Sequence, residues 1–290
     1  MIREGYIPFK GYQTYYRIAG EDTGKAPLIL LHGGPGSTHN YFEVLDQLAD
    51  TGREIIMYDQ LGCGNSYLDG HPELWCAETW ADELQTLIRH LGIQEYHLLG
   101  QSWGGMLALY CLIEKKMTGI KSVILSSTLS SSALWAHEQH RLISMMSEED
   151  REATARAEET GNFEDPACVQ ATDRYMKLHS ADIQPDAPEC LRREKRSGHE
   201  AYLTAWGPCE YFPTGTLKDF DVTQRLGEIN IPALVISGTN DLCTPLVAKT
   251  LYDGIPQARW ELFDGARHMV FAEQTEKYCA LLRTWMAEND

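Results

Sequence analysis

The amino-acid sequence predicts an α/β protein with a mostly parallel central sheet, flanking helices and one inserted helical cap. Three observations carry that prediction. Short apolar runs recur at 27–33 (PLILLHG), 54–60 (EIIMYDQ), 96–102 (YHLLGQS), 122–127 (SVILSS), 233–238 (ALVISG) and 258–264 (ARWELFD). Most lack polar alternation, as strands buried on both faces of a parallel sheet do. Helix-like segments separate several of them, which calls for right-handed crossovers. From about 130 to 225 the strand signal stops and the chain reads as helical and charged, a cap over the carboxyl edge of the sheet.

The elements follow in order. FKGYQTYYRI near the amino terminus alternates and carries Lys-Gly as a turn, so it predicts an antiparallel hairpin at the sheet edge. AETWADELQTLIRHLG (77–92) places apolar residues at 80, 84, 87, 88 and 91 on one helical face, with Gly92 as terminator. Within the cap, Ser147 with Asp150 three residues on is a capping-box pattern, and Gly161 closes the helix it opens. Asp165-Pro166 is a second N-cap followed by proline at the first helical position. The expected division is a core in two parts, 1–129 and 226–290, around a cap at 130–225.

Composition narrows the function. The 290 residues carry a formal charge of −17, which argues against a nucleic-acid or anionic-membrane partner, since either needs clustered Lys and Arg. Cysteines 63, 76, 111, 168, 190, 209, 243 and 279 are scattered without a CxxC pair or a close Cys/His set. Neither a metal site nor a disulfide framework is indicated, and free thiols fit a reducing compartment. With no apolar leader pattern and no run approaching 18 apolar residues, a cytoplasmic protein is expected.

Gly100-Gln101-Ser102-Trp103-Gly104 falls where an apolar strand becomes a helix. A tight strand–turn–helix elbow forces its central residue into strained backbone angles and demands small residues two before and two after it. The strain would hold the Ser102 hydroxyl at the sheet's carboxyl edge, beside a helix amino terminus that favours developing negative charge. A serine hydroxyl needs a base, and the base needs an orienting carboxylate. In chain order, ALVISG runs into Asp241 and ARWELFD runs into the loop of His268, so these two are the expected partners. Alone, Asp241 reads as a turn residue and His268 as a surface histidine; at two successive strand ends after an elbow serine they read as a triad. Asp264 is the rival acid, ranked lower because it ends the histidine's own strand. The Trp103 N–H is one expected oxyanion donor. The loop HGGPG (32–36) supplies the other, with Gly33 and Gly34 letting backbone approach a substrate and the Gly34 N–H as the expected donor. His32 is expected to brace that loop rather than act as a base.

With HGGPG, YDQLGCGNS (58–66), GQSWGG, GTND and RHM in order, the chain resembles the proline iminopeptidase family of α/β-hydrolases, close to the branch of the tricorn-interacting aminopeptidase. The resemblance runs over nearly the whole chain. It implies the α/β-hydrolase fold, Ser102 as nucleophile with Asp241 and His268, Gly34 and Trp103 as oxyanion donors, and no metal or organic cofactor. WGPCEYFPTGTLKDFD (206–221) resembles the family segment whose glutamate holds the substrate's free amino group, which implies Glu210 as that anchor. Trp135, Trp206 and Tyr211 are the expected walls of an apolar box for the first side chain. Leu242 departs from the family, where a second acidic residue often follows the triad aspartate. The function implied is a serine aminopeptidase acting on short peptides or amino-acid amides with a free amino terminus, proline among the residues released. An esterase, amidase or carbon–carbon hydrolase on the same scaffold is the rival, and a non-catalytic ligand-binding homologue a more distant one.

Overall fold

Strand β1 (Ile2–Phe9) and strand β2 (Tyr12–Ala19) form a hairpin that turns through Lys10 and Gly11, both in the left-handed region at φ 48° and 86°. This is the mirror-image turn whose twist suits a two-residue hairpin. In the computed structural model, which describes residues 1–290, the other strands are β3 (Leu28–Leu31), β4 (Ile55–Tyr58), β5 (Tyr96–Gln101), β6 (Ile120–Ser126), β7 (Ala233–Gly238) and β8 (Ala258–Phe263). They join one eight-stranded sheet in the order β1-β2-β4-β3-β5-β6-β7-β8. From β4 to β8 every pairing is parallel, and β1 and β2 are antiparallel.

The helices are α1 (Ala77–His90), α2 (Trp103–Ile113), α3 (Ser132–Ile143), α4 (Glu148–Thr160), α5 (Pro166–His179), α6 (Glu189–Arg192), α7 (His199–Ala205), α8 (Pro245–Gly254), α9 (Val270–Glu273) and α10 (Thr275–Glu288). A 3-10 segment, His39–Thr51, covers one face of the sheet and ends at Gly52 with φ 75°; the apolar periodicity gave no sign of it.

Strand alternation sorts the core into two layers. Ile29, Leu31, Ile56, Leu98, Val123, Leu125 and Val235 pack on the side of α1, α2 and α8, against Trp80, Leu84, Leu107 and Leu251. Their neighbours Leu28, Leu30, Ile55, Met57, Leu99, Ile124, Leu234 and Ile236 face Phe42, Leu45, Tyr278 and Leu282 on the other side. Both faces of each central strand are therefore apolar, which is why the runs read as uninterrupted. Strand β8 is the exception: it is the outer edge, and five of its six residues keep some exposure.

Helices α3 to α7 lie between β6 and β7, and no strand of the sheet interrupts them. Local chemistry starts and stops them. The Ser147 hydroxyl accepts the Asp150 N–H at 3.2 Å, and Gly161 ends α4 at φ 71°. The Asp150 carboxylate does not reach back to complete the box; it pairs with Arg174 on α5 instead. Asp165 accepts the Ala167 N–H at 2.9 Å and opens α5. No helix is long and apolar enough to cross a membrane.

Candidate active site

Ser102 lies between β5 and α2 with φ 56° and ψ −124°. Few non-glycine residues adopt such angles, and the surroundings must enforce them. A methyl group added at Gly100 would overlap the Gly104 carbonyl, and one at Gly104 would overlap the Leu31 carbonyl. The second restriction comes from the end of β3 rather than from the elbow itself. Hydrogen bonds fix the turn: the Ser102 N–H donates to the Ser126 carbonyl at 3.0 Å, and the Thr128 hydroxyl donates to the Ser102 carbonyl at 2.6 Å.

Asp241 follows β7, and His268 lies in the loop after β8. The His268 Nδ1 lies 2.7 Å from Asp241 Oδ1, which assigns the proton to Nδ1 and leaves Nε2 as the free base. The carboxylate has three further donors: the Cys243 N–H at 2.8 Å on Oδ1, and the Ser127 hydroxyl at 2.6 Å and the Gly238 N–H at 3.2 Å on Oδ2. Ser102, Asp241 and His268 are 9%, 1% and 6% exposed, so the three reach little water beyond the cavity they border. The Ser102 hydroxyl makes no hydrogen bond here; a serine–histidine contact of this kind commonly tightens only around a substrate. Asp264, the rival acid, is exposed and makes no bond to His268.

The N–H groups of Gly34 and Trp103 have no acceptor within the chain. Two unpaired backbone donors beside a nucleophile are what a developing oxyanion requires. Gly34 has φ 114°, reachable at low cost only by glycine. Gly33 differs from expectation: its N–H donates to the Tyr41 hydroxyl at 2.5 Å, and it does not line the cavity. The loop is braced from behind. His32 Nε2 accepts the Gln60 N–H at 3.0 Å, and the Gln60 side chain accepts from Trp103 Nε1 at 2.7 Å. Burial pushes His32 down to about 4, so it stays neutral and free to accept. His32, Asp59 and Cys63 are close enough to share a metal ion. Their polar atoms are already engaged, since Asp59 accepts from His39 and Asn65 and the Cys63 thiol donates to the Gln60 carbonyl.

Gly34, Ser102, Trp103, Met106, Leu129, Trp135, Trp206 and Glu210 line a narrow, partly open cavity of about 10 Å³. A wider, open cleft between Asp22–Pro27 and Leu91–Glu95 lies at the amino ends of the strands and holds no nucleophile. Trp135 packs edge-on to Trp206 and to His268, with ring centroids 6.4 and 5.8 Å apart. Glu210 faces the cavity from a half-buried position. It accepts from the Tyr202 hydroxyl at 2.9 Å, and no Lys, Arg or His neutralises it. Burial pushes its carboxyl above the usual range, with His268 and the Tyr202 bond pulling weakly the other way.

Tyr211 does not join this box. It is fully buried among the cap helices, its ring edge-on to Tyr175 and its hydroxyl 3.5 Å from both Cys168 and Thr172. Trp206 and Tyr211 are adjacent to the predicted motif, but the segment between them turns at Gly207 (φ 145°) and sends the two rings apart. Met106 and Leu129 line the cavity instead; their sequence context, an apolar run for one and a serine-rich run for the other, gave no signal. Leu242 is buried and off the cavity, which leaves Glu210 as its sole carboxylate.

The end of α5 is fastened to the loops of both Asp241 and His268. The His179 carbonyl accepts the Leu242 N–H at 3.2 Å and the His268 N–H at 3.0 Å. The His179 ring meets the Asn240 carbonyl at 3.0 Å, and Arg267 donates to the Lys177 carbonyl at 2.6 Å. From α3, Gln139 donates to the Leu242 carbonyl at 2.8 Å.

The family model of the alpha/beta hydrolase fold matches residues 26–275. A proline iminopeptidase of Clostridioides difficile (strain 630) is 58% identical, over all of this chain and 99% of its own. One from Lactobacillus helveticus is 55% identical with the same coverage. Among solved structures, a proline iminopeptidase of Mycobacterium smegmatis superposes with a TM-score of 0.87 at 32% identity, covering 99% of this chain and 98% of its own.

Proposed function

The chain belongs to the proline iminopeptidase family of α/β-hydrolases, and from that premise we propose a serine aminopeptidase that releases an N-terminal residue, proline foremost, from short peptides or amino-acid amides. The observation that carries the reading is Glu210, a half-buried carboxylate without a counter-ion on the wall of the cavity that also presents Ser102. A carboxylate kept from water favours a cation. The protonated amino group of a substrate supplies one, and it places the first carbonyl beside the serine. An esterase on this scaffold has no use for such a group.

In the proposed reaction His268 Nε2 takes the Ser102 proton as Oγ attacks that carbonyl, and Asp241 steadies the imidazolium. The Gly34 and Trp103 N–H groups receive the oxyanion. The imidazolium then protonates the departing amine, and water, activated by the same imidazole, hydrolyses the acyl-enzyme. Trp135, Trp206, Met106 and Leu129 supply an apolar lining for the first side chain.

Prolyl arylamide and its N-acetylated form test the reading in wild type and Glu210→Gln. Wild type is expected to prefer the substrate with the free secondary amine, and the variant to lose on the order of a hundredfold in kcat/KM for it, the worth of a buried charge pair. An equal loss on both substrates would overturn the assignment.

A further inference from the structure

Strand β6 lies between β5 and β7, so its carboxyl end falls between the nucleophile and the acid. Three consecutive residues there reach both. The Ser126 carbonyl accepts the Ser102 N–H, and the Thr128 hydroxyl donates to the Ser102 carbonyl. On the opposite side the Cys243 thiol donates to the Thr128 carbonyl at 3.0 Å. Between them Ser127, fully buried, donates its N–H to the Ile236 carbonyl at 2.7 Å and its hydroxyl to Asp241 Oδ2 at 2.6 Å.

Ser127 also has φ 49°. A position of that shape suits glycine or asparagine, and a serine there is held against a steric cost. The hydroxyl is the group that repays it. Asp241 Oδ1 is shared by His268 and the Cys243 N–H, whereas Oδ2 has only Ser127 at short range and Gly238 at 3.2 Å. Without Ser127 the carboxylate can swing about its Cβ–Cγ bond and take Oδ1 off the His268 Nδ1. We propose that Ser127 is a positioning residue of the hydrolytic site, gripping the oxygen of Asp241 that faces away from His268 and so fixing the carboxylate against the imidazole.

This inference rests on the reading of Ser102, Asp241 and His268 as the triad. The test compares Ser127→Ala and Ser127→Gly with wild type in kcat, KM, the acid limb of kcat/KM and Tm. Both variants lack the hydroxyl, but glycine relieves the left-handed backbone, so Ser127→Gly is expected to melt above Ser127→Ala. It also keeps the test open should the alanine variant fail to fold. Both are expected to lose about tenfold or more in kcat with KM within about twofold, the pattern of an interaction expressed in the transition state. Once Oδ1 leaves Nδ1 the imidazolium loses its charge partner and gives up its proton more readily, so the acid limb moves to lower pH in both. The titratable groups facing the pair are Cys243 from the same loop, Glu210 from the segment after α7 and His179 from α5; none of these is altered by the substitutions. If either variant keeps the wild-type kcat and acid limb, or if activity follows Tm from one variant to the other, Ser127 is only structural and the proposal falls. Ser102→Ala and Asp241→Asn serve as controls. Wild-type turnover in those variants would remove the triad itself, a failure distinct from an inert Ser127 beside an indispensable Asp241.

Discussion

One methyl group at residue 104 is enough to dismantle the elbow. The added carbon of Gly104→Ala would occupy the Leu31 carbonyl's space, and neither β3 nor α2 has room to withdraw from a packed core. The variant is expected to lose about 2 kcal/mol or more of stability, read as a lower Tm, together with reactivity toward a fluorophosphonate probe. The same residue-scale logic explains what the sequence disclosed. Ser102, Asp241 and His268 were legible because each stands at a strand end, where chain order alone fixes position along the sheet edge. Ser127 was not, because it is one of five serines in SSTLSSS and only the register of β6 against β7 points its hydroxyl at Asp241. Tyr211 and Gly33 were misplaced for a related reason: side-chain direction and N–H partner depend on turns that residue spacing does not encode.

Helix α1 shows how an element far from the reacting atoms sets their frame. Its apolar stripe includes Trp80, Leu84 and Leu87, and Glu83 lies on the same side with no exposure. The Glu83 carboxylate accepts the Leu61 N–H at 2.9 Å and the Thr14 hydroxyl, and Trp80 Nε1 donates to the Leu61 carbonyl at 3.0 Å. Residue 61 is thus held at both its polar groups, next to the Gln60 that orients Trp103. The periodicity of AETWADELQTLIRHLG revealed the helix and its buried face but not that an acid lies within it. Burial pushes Glu83 up to about 8, with the Thr14 and Leu61 bonds opposing. A carboxyl whose folded value exceeds its unfolded one contributes stability that is full below the unfolded value and lost as pH rises through the folded one. Wild type is therefore expected to lose Tm between about pH 5 and pH 8, and Glu83→Gln to lose less over the same interval, as differential scanning calorimetry will show.

At the scale of the molecule the two ends of the sheet do different work. The carboxyl end holds the site, and the amino end is locked by charge. Arg53, 2% exposed, donates to the Ala26 carbonyl at 2.7 Å and to Asp290 at 2.8 Å, while His97 lies 3.3 Å from the same carboxylate. Burial tends to raise Asp290, but these partners outweigh it and hold its carboxyl below the usual range. Asp290→Asn leaves a buried guanidinium without its counter-ion and is expected to cost about 1–2 kcal/mol, a value tempered by the 35% exposure of the aspartate side chain. Urea titration at neutral pH measures it, and kcat should stay unchanged because this ion pair lies at the opposite end of the strands. The alternation of strands and helices made this architecture readable, whereas the fastening of cap to core was not, since it runs through backbone groups that every residue possesses. The His179 carbonyl is one such group, and it governs how the molecule can be recombined. A chimera that takes residues 130–225 from one relative and the rest from another brings that oxygen from one parent and the N–H groups of 242 and 268 from the other. Crossovers placed so that 177–180 travel with the two loops are therefore the ones that conserve the carboxylate and the imidazole in register.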